Sequence, residues 1–222
     1  MAWRNTYFLP EDIWGHKTRE DCWMIIHGLV KNVSGLIKEF GHDADLVNPL
    51  LREAGKDVSY WFEKNGLGEI NLKTHLHPET GARVSMLPFR IPHQPKFKPD
   101  VNWEPVMITI PWWADDKYNV GVETVRPINV RVTNPLIKRT ATIRICLEDT
   151  VRRIMERYSV YNSKIWTYKV KYLGKTLKTN LNLSQNGVTL KYEDSVEDFV
   201  PTLMLHYQER LAPWQDETLR LF

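Results

Sequence analysis

The sequence predicts an α+β protein made of two small mixed modules joined by a stiff, extended segment. Three observations carry that reading. Helical spacing of apolar residues and strand-like apolar runs both occur, each in short stretches, in both halves of the 222-residue chain. Six of the 13 prolines fall between 88 and 111, inside a stretch from Ala82 to Val120 that holds no glycine. Residues 1–80 carry 9 basic and 12 acidic side chains and residues 121–222 carry 16 and 11, although the net charge is only +3. Ordinary compositional scatter could give such a split, but it is also what two modules with different surfaces produce. With 42% apolar residues and nine Trp, nine Tyr and seven Phe, the chain has material for packed cores and lies outside the composition of disordered segments.

Several classes are set aside by the same reading. No apolar run approaches the roughly 18 residues of a membrane span, and Met1-Ala2-Trp3-Arg4-Asn5 has no signal-peptide core, so a cytoplasmic chain without a membrane partner is expected. Cys22 and Cys146 belong to no CxxC or zinc-spaced cluster and are expected as free thiols. No Gly-rich phosphate loop, Ser/His/Asp set or paired-carboxylate motif stands out, so an enzyme is not expected. No RNA-reading motif or helix-turn-helix points to nucleic acid.

Residues 1–80 form the first expected module. Pro10-Glu11-Asp12 suits a first helical turn, where proline lacks only an unused amide and acids face the helix dipole. Two short apolar runs, over 7–14 and 21–33, flank a polar turn segment; Trp23 to Ile26 is strand-length, and His16 and His27 are expected on sheet-forming segments in structural roles. Val33, Leu36, Ile37 and Phe40 make the stripe of a short helix, and a second helix is expected over 49–54, stopping at Gly55. The order Tyr7-Phe8-x-Pro10-Glu11-Asp12-Ile13, then Asp21-x-Trp23-Met24-Ile25-Ile26-His27-Gly28-x-Val30-x-Asn32-Val33-Ser34, then Ala54-Gly55-Lys56-Asp57 and Trp61-Phe62, resembles the cytochrome b5 heme-binding domain over residues 6–78. That resemblance implies helix pairs forming a cleft over a sheet, with heme b between two axial histidines. The family's His-Pro-Gly-Gly loop is replaced here by Phe40-Gly41-His42-Asp43-Ala44-Asp45, and the position of its second histidine falls on Leu67. Candidate axial ligands are therefore His75 first, then Tyr60 and His42, with His77 behind them. Each also reads plainly as a solvated or hydrogen-bonded side chain. Heme b is the candidate cofactor, with binding expected only conditionally, under oxidising conditions.

Residues 81–125 are expected as a strap, because proline fixes φ and removes an amide donor. Its Phe89, Ile91, Phe97, Trp103, Trp112 and Trp113 are too apolar for a solvated linker, so it should lie against a folded surface or a partner. Trp103, Trp112 and Trp113 are the candidate partner-binding aromatics.

Residues 126–208 form the second module, followed by a tail over 209–222. Ile128, Val130 and Val132 alternate with polar residues, as do Ile143, Ile145 and Leu147. Asp149 is the expected cap of a helix burying Val151, Ile154, Met155 and Tyr158. Further strands are expected near 168–177 and 203–207. This order, with Tyr172-Leu173-Gly174-Lys175-Thr176-Leu177 and Leu181-x-Leu183-x-Gln185-Asn186-Gly187-Val188, resembles the ubiquitin-like β-grasp family, interrupted by an insertion over 189–201 and lacking a terminal Gly-Gly. Arg144, Arg152 and Arg153 lead a set of basic residues expected either to face an acidic partner or simply to be solvated.

The whole order, including Pro111-Trp112-Trp113 and Asp115-Asp116-Lys117-Tyr118-x-Val120-Gly121, resembles a ciliary family that combines these two domains. That resemblance implies a structural or regulatory role in the cytoskeleton of the cilium or flagellum. It implies association with radial-spoke and microtubule-associated proteins of the axoneme, and redox signalling linked to coordinated beating.

Overall fold

A hairpin opens the first sheet. His27 and Gly28 have φ of +49° and +79°, the left-handed pair that a two-residue turn needs to match strand twist, and they join β2 (Trp23–Ile26) to β3 (Leu29–Asn32). The structure is a computed structural model that describes residues 2–79, 81, 83–94, 110–190 and 199–207. It divides into two units, Met1–Thr124 and Val125–Phe222, and has a mixed α+β composition.

In the first unit β1 (Tyr7–Phe8) leads into α1 (Pro10–Trp14), which has proline at its start as expected. After the hairpin come α2 (Ser34–Glu39) and α3 (Ala44–Arg52). The α2 stripe is buried as its spacing predicts, with Val33, Leu36 and Ile37 closed to solvent. The second helix begins earlier than expected. Asp43 caps α3, its carboxylate accepting from the amides of Asp45 and Leu46 at 3.1 and 3.4 Å, and Pro49 lies inside the helix. Pro49 suits a helix start by residue type, but the Asp43 cap sets the boundary and the helix tolerates one missing amide bond. Two small hairpins follow, β4 (Phe62–Lys64) with β5 (Ile70–Leu72) and β6 (Thr74–Leu76) with β7 (Arg83–Ser85).

The expected strap is corrected here. Its last residues form β8 (Asn119–Glu123), inserted between β1 and β3 in the sheet order β1-β8-β3-β2. β8 is parallel to β1 and antiparallel to β3. Gly121 permits that approach, since a Cβ there would lie 2.5 Å from the Thr6 carbonyl oxygen and 2.5 Å from the Phe8 ring. Lys31 in β3 ties the strand down. It is 1% exposed, and its ammonium donates to Asn119 Oδ1 at 2.6 Å and to the Asp115 carbonyl at 3.2 Å. Burial pushes its amine down to about 8, with Asp116 and Asp115 opposing the shift. Ile91, Trp112, Trp113 and Tyr118 join the core of this unit. The physical reason is apolar area: 80 residues of this sequence leave the sheet and helix faces uncovered, and the downstream aromatics cover them.

The second unit follows its sequence order. β9 (Pro127–Asn134) and β10 (Arg139–Cys146) form a long hairpin, then come α4 (Val151–Tyr158), β11 (Tyr168–Tyr172), β12 (Lys175–Thr176) and β13 (Thr202–Tyr207). The sheet order is β10-β9-β13-β11-β12, with β13 parallel to β9 and the other neighbours antiparallel. Val151, Ile154, Met155 and Tyr158 of α4 pack with Val130, Val132, Ile143, Ile145, Val170, Leu203 and Leu205. The cap of α4 is Thr150 and not Asp149, its hydroxyl accepting from the Arg153 amide at 3.3 Å. Asp149 is buried instead, accepting from Arg157 Nε at 2.7 Å and from the Cys146 amide at 3.0 Å. Desolvation raises its carboxyl above the ordinary value while Arg157 and that amide oppose the rise. Both cysteines are free and buried, and burial pushes the Cys22 thiol up to about 12, so it stays protonated and unreactive. Among the described residues no helix is long and apolar enough to cross a membrane.

Candidate functional site

The helix pair α2 and α3 turns its apolar face toward a cluster of aromatic rings. Leu36, Ile37, Val47 and Leu50 share a core with Trp61, Phe62, Ile91, Trp112 and Trp113. Phe62 stands edge-on to Trp112 at 6.0 Å and lies 5.7 Å from Trp113 between ring centres, the two indoles are 5.9 Å apart, and Phe89 packs against Trp61 at 5.4 Å. Aromatic pairs prefer these offset and edge-to-face arrangements. The indole N–H groups of Trp61 and Trp112 are buried with no hydrogen-bond partner, so the cluster is held by apolar burial against a polar cost. Trp112 and Trp113 are therefore core residues, 0% and 4% exposed, and not the partner-facing aromatics expected from sequence. They are buried because they complete the face of the helix pair. Trp103 lies outside the described residues.

The three candidate heme ligands lie on separate elements. His42 is exposed in the turn between α2 and α3. Tyr60 is 59% exposed in a single helical turn, Ser59–Trp61, with its ring against Trp61. His75 is exposed on β6, opposite Val84 of β7. His77 accepts a long contact from the Glu79 amide at 3.4 Å. Among the described residues no group of three or more His, Cys, Asp or Glu side chains could hold a metal ion. An open recess of about 510 Å³ beside α3 is lined by Asp45, Asn48, Pro49, Leu51 and Arg52, none of them a His, Tyr, Cys or Met donor of the kind heme iron takes.

Sequence reasoning missed His93. It sits at φ +62°, packs edge-on against Phe40 at the end of α2 at 5.5 Å, and its Nδ1 accepts from the Trp112 amide at 3.1 Å. Burial lowers its pKa, with Glu39 and Asp115 opposing and Lys117 reinforcing the shift. A neutral ring that accepts at Nδ1 carries its proton on Nε2, so neither nitrogen offers a lone pair to a metal as it stands. A histidine beyond the helix pair, in a proline-rich stretch, has no spacing signal that could have marked it. In this arrangement the described residues enclose no iron site: the helix pair packs on the chain's own rings, and His42, Tyr60 and His75 are exposed.

The basic candidates separate. Arg144 lies on β10, opposite Asn129 of β9. Arg152 and Arg153 lie on α4, where both reach Glu156, at 3.7 and 2.9 Å.

No family model matches the chain. Curated proteins do. The mouse protein named Cytochrome b5 domain-containing protein 1 is 30% identical over 217 residues, spanning 93% of this chain and 91% of its own. The Xenopus laevis protein of that name is 29% identical, spanning 94% and 97%, and the human one is 28% identical, spanning 93% and 91%.

Proposed function

Because the chain belongs to the family of cytochrome b5 domain-containing protein 1, we propose that it is a non-enzymatic structural and regulatory component of the ciliary axoneme. In this reading it associates with radial spokes and microtubule-associated proteins and serves coordinated beating. The carrying observation is that similarity runs through both units, over 93% of the chain, so the resemblance concerns the two-domain combination and not an isolated module. The second unit is read as a ubiquitin-like β-grasp domain. Support comes from its sheet order, with the first and last strands parallel neighbours and the one α-helix between the second and third strands. A tagged chain expressed in ciliated cells is expected in the detergent-insoluble axonemal fraction, released by high salt. Recovery as a free monomer insensitive to salt would reject the proposal.

A second reading is a heme-binding redox carrier or sensor, favoured by the cytochrome b5 domain in the relatives' name. Binding would require the rings around Trp112 to give way. Hemin titration of the purified chain, oxidised and reduced, decides this. A Soret band altered by His75→Ala supports the reading, and an unchanged free-hemin spectrum in both states rejects it.

A further inference from the structure

The outer face of the second unit's sheet gathers cations from separate strands. Register fixes which side chains share it. Val130 pairs with Ile143, Val132 with Leu203 and Val170 with Leu205, and all six belong to the core under α4. The intervening positions therefore point away from the helix. Arg131, Arg144, Lys169, Lys171 and His206 occupy such positions, since Arg131 pairs with Thr142, Arg144 with Asn129, Lys169 with His206 and Lys171 with Met204. A hydrogen bond between the hydroxyls of Thr133 and Thr140, 3.1 Å apart, marks the same face. None of the outward positions on β9, β10, β11 or β13 holds Asp or Glu, and none holds Trp, Tyr or Phe. Arg131, Lys169 and His206 are exposed.

Resting on the reading of the chain as an axonemal component that associates with partner proteins, we propose that this sheet face takes up an extended acidic segment of such a partner. The two arginines lie on a cross-strand diagonal, about 7–8 Å apart, and Lys169 and Lys171 are two positions apart on one strand, about 6.8 Å. Carboxylates at alternate positions of an extended peptide recur at about the same interval. Such a peptide can meet several cations at once, each neutralising repulsion among like charges. The missing aromatic platform disfavours single-stranded nucleic acid, which relies on base stacking. The α4 arginines lie on a different element and reach Glu156, so they serve as the comparison.

The test titrates a fluorescent peptide of alternating Glu and Ser into the full chain at low salt. Arg131→Glu combined with Lys169→Glu and Lys171→Glu is expected to weaken binding at least about tenfold, and Arg152→Glu with Arg153→Glu less than about twofold. Far-UV circular dichroism checks folding, and should the reversal variant unfold, Lys169→Gln with Lys171→Gln replaces it, with an expected loss of about threefold. Equal losses from the sheet and helix variants overturn the proposal. So does the absence of peptide binding by the unaltered chain, or tighter binding of a single-stranded DNA of matched charge. The axonemal fractionation is read separately, so axonemal location can stand if this face fails.

Discussion

The two units close their cores in different ways. The second also places its last strand, β13, beside its first, β9, but each of its elements carries a regular apolar period, and they meet around an aliphatic core of Val, Ile and Leu, with Met155 and Tyr158. The first closes out of order: β8 enters the sheet beside β1 across more than a hundred residues of chain, and Trp112 and Trp113 complete a core begun by Met24 and Leu36. A regular period in each element lets a unit be recognised from its sequence even when its last strand pairs with its first, whereas closure by a proline-rich segment whose own pattern looks irregular stays hidden.

Cutting the chain is the most severe way to break that contrast. A chain ending after residue 80 loses β8, Ile91, Trp112 and Trp113, and is expected to lack a cooperative thermal transition. Residues 1–124 should show one. Equal folding of both fragments would mean that the downstream segment is dispensable.

Single core changes come next. Trp112→Ala should cost about 3–5 kcal/mol in the first unit, and Arg157→Ala a similar amount in the second, because it leaves the buried Asp149 carboxylate without its guanidinium. In urea unfolding followed by two probes, each variant is expected to shift the midpoint of its own unit and leave the other in place. A common shift would show the units to be energetically one.

Gly121→Ala should cost about 1–3 kcal/mol by forcing a methyl group against the Thr6 carbonyl and Phe8. Gly174→Ala, at φ +82° with nothing within 4 Å of the added Cβ, serves as the comparison in the second unit, where only backbone conformation is strained. A smaller loss there, measured by the same melts, separates close approach from conformational cost.

The smallest effect is a slope with pH. Lys31 is depressed from 10.5 to about 8 by burial, so between those values the unfolded chain holds more protons and stability of the first unit rises with pH. The penalty for burying the charge is fully present below about 8. Subtracting the profile of Lys31→Met from that of the unaltered chain isolates this group from Cys22, whose raised thiol pulls stability the other way above 9.0. A flat difference would place the ammonium in water.

Much of the local structure was legible. The α2 stripe, the proline start of α1 and the four buried positions of α4 all follow from spacing and cap chemistry. The cap of α4 lies one residue, and the start of α3 five residues, from where the sequence alone points, because Asp, Thr and Pro compete for similar end positions. The candidate site was less legible. Donor type and distance along the chain point to His42, Tyr60 and His75, and neither reports burial: these side chains are exposed while Trp61 and Trp112 hold the interior.

Sequence alone determined the short elements, the excess of aromatic residues and the division of charge, since these depend on residue type and near neighbours. Tertiary structure decided that the proline-rich segment finishes a core, that the helix pair packs on indoles, and that Arg131, Arg144, Lys169 and Lys171 share one face while Arg152 and Arg153 turn to Glu156. Which apolar surface needs covering, and which charges become neighbours, are properties of strands paired at long range, and no local period encodes them.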